Sequence, residues 1–351
     1  SLDIRGFGEA SKSNSLILVN GIRLNDIDMS NVNLSYIPID SIERIEIIRG
    51  GSAGTLYGSG VIGGAVNIVT KNDNLQNRGE FSFGSYSRLG ADFSLSNSFS
   101  ENGVISLSAT GFSSDTFREA GDYTDENFVL NIKNIINQTK LNLDVFSSYR
   151  EQDLPGPRVK GGAVYNYHFC NRYEDSKTAK HIGGSFTTNG DTCNSDQRDD
   201  YSNLENERIN LSIIQEIDSL KKFFLNIGYK KKNDKAFLAA NGNTKETPNN
   251  GDRYLNTTID GNIYNGRYEV RNVDEKLTNI LNIGYDHSHS FYDSKRYRKE
   301  DEQLGQNYDA DLKVQSVYFQ NTVYFNKTDT SFSFGFRSEK SEFGARDEVD
   351  R

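Results

Sequence analysis

The chain has 351 residues, with 40 basic and 49 acidic side chains and a formal net charge of -9. This charge balance, without a domain-sized basic block, argues against nucleic acid as a partner. No apolar run approaches the roughly 18 residues that a membrane helix requires, so any membrane residence would have to be through a β-barrel.

The first 75 residues consist of short β-rich runs separated by turns. The runs are Leu16 to Val19, Ile42 to Ile48 and Ala65 to Val69, and Asn20-Gly21 follows the first of them as a strong turn signal. This texture differs from that of the rest of the chain. It predicts a small mixed α/β domain over residues 1–75.

A glycine-rich stretch in this domain, Tyr57 to Gly64, fits the G-x-G-x-x-G fingerprint of dinucleotide-binding folds, and Glu80 lies about the right distance downstream. Such a fingerprint must follow directly after a strand and form the beginning of a helix. Here the preceding run ends near Ile48, and a β-branched, strand-like run follows Gly64. We therefore expect the glycines to allow tight turns and close backbone packing instead of holding a phosphate.

From Arg78 onward, apolar and polar residues alternate with period two in many segments, and Tyr and Phe are plentiful, at 19 and 21 in the chain. This alternation indicates strands that bury one face. It predicts about 11 strands, near residues 79–87, 89–98, 103–117, 124–137, 139–152, 202–217, 222–236, 258–272, 276–291, 312–325 and 329–343.

The connections between these strands alternate in length. Short polar turns at residues 100–103, 137–140, 218–221 and 326–329 are interleaved with longer connections at about 117–124, 153–202, 237–258 and 292–311. Short turns at one end and long loops at the other are typical of an outer-membrane barrel. A soluble β-sandwich is not expected to keep this alternation, and its strands are nearer 5 to 6 residues long.

Four linked motifs in the first domain, at residues 2–8, 17–24, 37–53 and 56–71, resemble the plug of TonB-dependent outer-membrane receptors in order and spacing. The resemblance implies a membrane all-β protein, with a plug folded inside a transmembrane antiparallel β-barrel of about 22 strands. Residues 1–75 would then be an N-terminally truncated plug. Residues 78–351 would be the N-terminal half of the barrel, with about 11 of the expected strands, and the chain would be an internal fragment.

The resemblance also gives roles to charged and glycine residues of the plug. Arg5 and Arg49 would pair with barrel glutamates and lock the plug in place, because a buried arginine needs a carboxylate. The alternative is that both are surface arginines beside turns. Glu43, Arg44 and Glu46 are expected to be solvated strand charges and not catalytic groups. The structural glycines of the plug would be Gly50, Gly58, Gly60, Gly63 and Gly64.

By the same resemblance, a ligand would meet two loops at the apex of the plug. These loops lie between Phe7 and Asn14 and between Asp26 and Ser35. Each candidate considered alone is better explained as a plain loop residue, and the loops as groups carry the hypothesis. The candidate ligand-binding residues are Phe7, Glu9, Ser11, Asn14, Asp28, Met29, Ser30 and Asn31.

The long stretch 153–202 is expected to be an external loop with cations and aromatic rings suited to an anionic iron chelate. A polar loop with scattered charges is the alternative. The weaker candidates for ligand contact here are Arg158, Lys160, Tyr165, Tyr167 and Arg172.

Cys170 and Cys193, the two cysteines of the chain, lie in this same stretch. A local disulfide that closes the loop in an oxidising compartment is the first interpretation, and two free thiols are the other. The four histidines have no metal-site spacing with cysteine, so no metal site is expected. The sequence also offers no assembled nucleophile, base and orienting group, and we expect neither an enzyme nor a cofactor.

The leading hypothesis is an energy-coupled receptor in the outer membrane of a Gram-negative cell. Its expected partners are TonB, an extracellular ferric siderophore and outer-membrane lipid, and cobalamin or another nutrient chelate is the next candidate ligand. A passive porin or adhesin barrel is a second class, which would leave residues 1–75 unexplained. A soluble nucleotide-binding enzyme is a third, and it would need a helix after Gly64.

Overall fold

The structure is a computed structural model. It describes residues 4, 6, 8, 11–30, 32, 34, 37–48, 51–71, 77–116, 121–154, 180–182, 185–188, 191–194, 200–238, 253–297, 304–328 and 330–348. Their strands form sheets of four, three and eleven strands. We call the four-stranded sheet with its helices the plug and the eleven-stranded sheet the wall.

The plug contains a mixed sheet with two short helices. Its elements are α1 (Ser11–Asn14), β1 (Ser15–Val19), β2 (Ile22–Arg23), a 3-10 turn (Ile39–Ser41), β3 (Ile42–Ile48), α2 (Gly51–Tyr57) and β4 (Gly64–Thr70). The strand order is β2-β1-β4-β3, with β1 parallel and β3 antiparallel to β4. The three predicted strands of this region are confirmed, and the strand after the glycines rules out the dinucleotide fold. Among the described helices, none is both long enough and apolar enough to cross a membrane.

Strand β1 is apolar from Leu16 to Val19 because both of its faces are buried. Ile17 and Val19 pack on one side with Ile68 of β4 and with wall residues. Leu16 and Leu18 pack on the other side, in a cluster that also contains Ala53 of α2, Val61 and Ala65. Helix α2 was not predicted from its glycine-containing sequence, which has low helix propensity. Its packing over β1 explains why it forms.

The wall is antiparallel throughout, and its strands are neighbours in chain order. They are β5 (Arg78–Phe83), β6 (Leu89–Ser100), β7 (Gly103–Ser114), β8 (Tyr123–Ile136), β9 (Thr139–Asp153), β13 (Tyr201–Asp218), β14 (Lys221–Leu238), β15 (Arg253–Val273), β16 (Leu277–Tyr297), β17 (Leu304–Phe325) and β18 (Thr330–Glu348). Between β9 and β13 lie β10 (Lys180–Ile182), β11 (Ser185–Thr188) and β12 (Asp191–Asn194), which form the three-stranded sheet. The prediction of eleven strands is confirmed.

Several predicted strand ends were wrong. The strand predicted over 79–87 ends at Phe83, because Tyr86 and Ser87 take positive φ values of 59° and 50° in a tight turn. The strands of the second half are longer than predicted, so that β16 runs on to Tyr297 and β17 begins at Leu304. Their ends nearest the long connections lack the apolar alternation, yet backbone pairing continues there without it.

The two faces of the wall differ in chemistry, and the plug covers only one of them. The apolar phase is the exposed one, as at Ile209 (48 %), Ile283 (52 %) and Phe336 (61 %). The opposite, polar phase faces the plug, and Asp144 and Asn210 on it are only 2 % and 1 % exposed. Polar side chains inside and apolar ones outside are the arrangement of a membrane barrel.

The connections of the wall sort by length to its two ends, as predicted. Connections of two to four residues follow β6, β8, β13, β15 and β17, at an edge we call the turn end. The longer connections follow β5, β7, β9, β14 and β16, at the edge we call the loop end. Sites near residues 84–88 and 115–122 therefore lie at the loop end.

Candidate ligand-binding site

A cavity of about 770 Å³ lies between the plug and the first four wall strands. The plug contributes Leu34 and the segment Ile37 to Ile39, and the wall contributes side chains of β5 to β8. Arg88, Phe112 and Tyr123, which border the cavity, flank the connections after β5 and β7. The cavity therefore lies at the loop end of the molecule.

Two neighbouring aromatic rings with an arginine at each end form a row beside the wall side of this cavity. The guanidinium carbon of Arg88 lies 5.0 Å from the ring centroid of Phe112. The ring of Phe112 meets that of Tyr123 edge to face, with centroids 5.8 Å apart. Arg150 of β9 lies 5.5 Å from the centroid of Tyr123 on the far side. We call these four residues the ladder; such contacts hold planar groups in place and attract anionic or aromatic ligand groups.

A carboxylate neutralises one end of the ladder. Asp125 is 6 % exposed and accepts hydrogen bonds from Nε and Nη2 of Arg150, at 3.0 and 2.8 Å, and from the Tyr123 hydroxyl at 2.8 Å. Arg78 pairs with Glu80 on β5 in the same way. Asp92 also lines the cavity, so the charges along it are nearly balanced, and Arg78 and Arg88 are exposed cations on it.

The loop of the plug that leads to this cavity is attached to β14 by ion pairs. Asp26 lies 2.7 Å from Nζ of Lys230 and 3.3 Å from Nζ of Lys232. Nζ of Lys232 also donates to the Ser30 hydroxyl at 2.7 Å and lies 3.7 Å from Asp28. Burial alone would raise the pKa of Asp26, but the charges and hydrogen bonds of the two lysines outweigh it and hold this pKa below its usual value.

The predicted apical residues separate into two groups in the structure. Asp28 and Ser30 come together at Lys232, while Met29 between them is 62 % exposed. Ser11 is 1 % exposed at the start of α1, so its hydroxyl is not offered to a ligand. The carbonyl of Asn14 accepts a hydrogen bond from the Gly63 amide at 2.8 Å. None of these residues borders the cavity.

The glycines and strand charges of the plug have local roles. Gly58, Gly60 and Gly64 take positive φ values of 81°, 84° and 124°. A Cβ atom on Gly64 would lie 2.8 Å from the carbonyl oxygen of Ile48. Glu43, Arg44 and Glu46 form ion pairs at exposures of 37 to 52 %, which confirms solvated charges on this strand.

Other predicted residues fall outside the described part of the chain. These are Phe7, Glu9, Asn31, Arg5, Arg49, Gly50, Arg158, Lys160, Tyr165, Tyr167, Cys170 and Arg172. Cys193 lies on β12, where its backbone pairs with Phe186. The disulfide and the locking arginines therefore stay predictions. Among the described residues, no group of three histidine, cysteine or acidic side chains could hold a metal ion.

The sequence-based reasoning missed the ladder and the lysines that hold Asp26. Arg150, Lys230 and Lys232 all lie in the polar phase of their strands, opposite the apolar residues that we used to find those strands. The sequence signal for these contacts was the presence of large or charged side chains in the polar phase near the loop end. Which of them come together depends on strand register, which the pattern alone does not give.

Comparison with known sequences gives a family for the plug. Residues 1–65 match the family model described as TonB-dependent Receptor Plug Domain. The vitamin B12 transporter BtuB of Vibrio vulnificus is 36 % identical over 114 residues, which are 32 % of this chain and 18 % of that protein. The vitamin B12 transporter BtuB of Photobacterium profundum is 40 % identical over 73 residues, 18 % of this chain and 12 % of that protein.

Solved structures extend the likeness in fold over plug and wall together. BauA, the ferric preacinetobactin receptor from Acinetobacter baumannii, superposes with a TM-score of 0.66 at 12 % identity, over 95 % of this chain and 51 % of that one. The ferric-catecholate import receptor Fiu from E. coli K12 gives 0.65 at 12 % identity, over 95 % and 53 %. The chain spans about half the length of these structures.

Proposed function

This chain is a TonB-dependent receptor in family and fold, and on that premise we propose that it takes up a scarce nutrient chelate across the outer membrane. The observation that carries the proposal is the cavity of about 770 Å³ at the loop end, between a plug loop and the ladder. Concave sites of this volume, with aromatic walls and a few well-placed polar groups, are typical of small-molecule binding. The family is one of receptors and transporters, not of enzymes.

The exposed apolar face of the wall supports a place in the outer membrane. On β16, the residues that point outward between Leu277 and Tyr285 are apolar, with the exception of Asn279. The next two outward residues are His287 and His289. Nine residues span about 30 Å along a strand, and a tilt of about 40° reduces this to about 23 Å. That height is close to the roughly 25 Å apolar band of outer-membrane barrels. The loop end would then face the outside of the cell.

We propose a ferric siderophore as the first candidate ligand. Arg88 is an exposed cation stacked on a ring, and it would attract the anionic, planar chelating groups that such ligands carry. Several solved structures with this fold are described as receptors for ferric chelates, among them ferric preacinetobactin and ferric catecholates. The predicted external loop, with Arg158 and Lys160, would add further cations.

Cobalamin is the second candidate, and two observations favour it. The curated relatives that match the plug are vitamin B12 transporters. In addition, Asp125 neutralises Arg150 and Glu80 pairs with Arg78, so the cavity suits a ligand with polar and aromatic surface but little net charge.

The proposed partner on the inner side is TonB, which would supply the energy to move the plug and release the ligand. A passive porin or an adhesin is the alternative of a different class. The contacts that fill the polar face of the wall with plug residues, such as Arg208 Nη2 to the Ile22 carbonyl at 3.1 Å, argue against an open passive pore.

Uptake assays in a Gram-negative host that lacks its own receptors test this function. The natural full-length protein would be expressed with and without TonB, and uptake of radiolabelled cyanocobalamin and of a panel of ⁵⁵Fe-siderophores would be measured. We expect TonB-dependent accumulation of one class. Accumulation that persists without TonB would favour the porin, and binding of neither class to cells that display the folded protein would remove the chelate proposal.

A further inference from the structure

Helix α2 of the plug ends against a cluster of wall side chains centred on Arg337 of β18. Nη1 of Arg337 donates to the carbonyls of Thr55 and Leu56, at 3.3 and 3.5 Å, and to Asp286 of β16 at 2.7 Å. Its Nε donates to Glu339 at 3.2 Å, and its Nη2 donates to the Ser316 hydroxyl. The guanidinium thus spans three wall strands and the end of the helix.

The helix offers what an arginine can bind at this point. Carbonyls in the last turn of a helix have no partner within the helix, so they need donors from outside it. The planar guanidinium presents five donors in a fixed fork and can serve two carbonyls and two carboxylates at once. Arg337 is only 11 % exposed at its side chain, and its guanidinium carbon also lies 5.4 Å from the ring centroid of Tyr318. Its position is therefore fixed from several sides.

Gly58, just after α2, leaves the space that this cluster occupies. A Cβ atom on Gly58 would lie 2.6 Å from Oε2 of Glu339 and 2.9 Å from Nε and Nη2 of Arg337. Oε2 of Glu339 accepts from Nε of Arg337, and Nη1 of the same guanidinium binds α2, so a Cβ at position 58 would require both side chains to shift and would disturb these bonds. Gly21 has the same φ of 81°, but a Cβ atom on it would meet nothing within 4 Å. The requirement for glycine at position 58 therefore includes contact with the wall as well as backbone conformation.

We propose that Arg337 is a positioning residue that docks helix α2 of the plug onto the wall, and that the absence of a side chain at Gly58 leaves the space this contact needs. The plug gives Arg337 neutral carbonyls, and the wall gives it two carboxylates. When α2 leaves, the guanidinium of Arg337 keeps Asp286 and Glu339, so this cation is not left without a partner. The contact is therefore a reversible one. Docking is independent of which ligand is carried, so its test is separate from that of the proposed function.

A cysteine pair at positions 55 and 335 reports the docking. A Cβ atom on Gly335 would lie 2.7 Å from Cγ2 of Thr55, so the two positions are close enough for a disulfide once the Phe319 carbonyl oxygen, at 2.8 Å from that Cβ, shifts by a few tenths of an ångström. The parent would be the full-length receptor in outer membranes with Cys170→Ser and Cys193→Ser, Thr55→Cys and Gly335→Cys. Oxidation would be started with copper phenanthroline and the rate of cross-linking followed on gels, with heat-modifiability as the check that the barrel is folded.

Arg337→Met is expected to slow cross-linking at least fivefold relative to the parent. The rate in Arg337→Lys is expected to lie between those of the parent and Arg337→Met, because an ammonium cannot bridge all the acceptors. Arg346→Met is the matched control, since Arg346 lies on the same strand with an exposed side chain. A rate in Arg337→Met equal to that of the parent would overturn the proposal.

The glycine pair gives a second measurement that does not depend on the folding of the arginine variants. Gly58→Ala is expected to slow cross-linking more than Gly21→Ala, because both carry the same backbone strain and only the first meets Arg337. The excess should shrink when Gly58→Ala is combined with Arg337→Met, because Glu339, the nearest neighbour, is then no longer held by Arg337 and can turn away from the methyl group. Equal effects of the two glycine substitutions would contradict the role of Gly58.

Discussion

Asp26 of the plug and Lys230 of strand β14 form an ion pair with an Nζ–O distance of 2.7 Å, in which the side chains are only 16 % and 15 % exposed. The pair holds the beginning of a plug loop whose later residues, Leu34 and Ile37, border the cavity. The plug loop thus contacts β14 at its beginning and borders the cavity, beside β5 to β8, at its end.

Asp26→Asn should loosen this loop. The amide removes the charge that faces Lys230 and Lys232, and a partly buried cation without its partner is destabilising. Fully buried pairs lose about 3 to 5 kcal/mol when one member is removed, and because these side chains keep some exposure we expect about 2 kcal/mol. The loosening would be measured as faster hydrogen exchange of the backbone amides in residues 24–37 of the folded receptor.

Asp28→Asn is the matched control for this change, since Asp28 lies farther from Lys232, at 3.7 Å. It should have a clearly smaller effect on exchange. Equal exchange in both variants would show that Asp26 is not the main attachment.

The ion pairs of Asp26 with Lys230 and Lys232 should be insensitive to pH over the neutral range and should be lost in acid. The pKa of Asp26 is held below its usual value in the folded protein. Its stabilising contribution is therefore present above the ordinary carboxyl value of about 3.9 and is lost as the pH falls through the lower, folded value. A spin label on Met29→Cys, which is exposed, should keep one mobility from about pH 7 to pH 5 and gain mobility only below about pH 4.

Asp26→Asn carrying the same label should already be mobile at about pH 7 and change little on acidification. A transition between about pH 5 and pH 7 that depends on Asp26 would contradict the direction of the pKa shift.

Arg88→Ala should weaken ligand binding in the cavity. An exposed cation stacked on a ring contributes about 1 kcal/mol to contact with an anionic or aromatic group, which is about fivefold in Kd. Calorimetry with the ligand found by uptake assays would measure it. The loss should be larger for an anionic ferric chelate than for cobalamin, because only the first carries net negative charge.

Arg271→Ala is the control, because Arg271 lies near the turn end, 46 % exposed and beside Glu269. Tyr123→Phe keeps the ring of the ladder and removes its hydrogen bond to Asp125, so it should change affinity less than Arg88→Ala. Unchanged affinity in Arg88→Ala would remove the ladder from the site.

Local residue patterns were enough to predict the strands and much of the plug. The apolar run of β1 follows from burial on both faces, and the period-two alternation of the wall follows from its apolar outer face and polar inner face. Neither pattern needs knowledge of distant contacts. Helix α2 was missed because its formation depends on Ala53 packing over β1, which overrides the low propensity of its glycines.

The site was harder to predict because it depends on register and on charge pairs between distant segments. Asp28 and Ser30 were candidates from their loop, but Ser30 and Lys232, which meet there, are 202 positions apart in the chain. The cavity wall formed by Arg88, Phe112 and Tyr123 requires the register of three strands. Alternation gives the face on which a residue lies, but not its height on the wall.

Gly64→Ala should disrupt the plug more than Gly21→Ala. Both glycines have positive φ, but a Cβ atom on Gly64 would also lie 2.8 Å from the Ile48 carbonyl, a backbone atom of the paired strand. Backbone strain at one residue costs about 1 to 3 kcal/mol, and the clash adds to it. Hydrogen exchange of β3 and β4 should rise in Gly64→Ala and stay near the parent in Gly21→Ala. Equal protection in both would show that β3 can shift to accommodate the methyl group.

A lysine on the outer face of the wall should report the depth of each residue in the membrane. Ile283 lies within the outward apolar stretch of β16, 52 % exposed, while His287 is the next outward residue beyond Tyr285. A lysine near the bilayer midplane costs about 2 to 4 kcal/mol, and one near the interface about 0 to 1. Ile283→Lys should therefore lower the folding stability of the full-length receptor in lipid vesicles, and His287→Lys should leave it nearly unchanged. Since both substitutions add the same side chain to the same strand, equal stabilities would mean that the apolar face does not meet hydrocarbon.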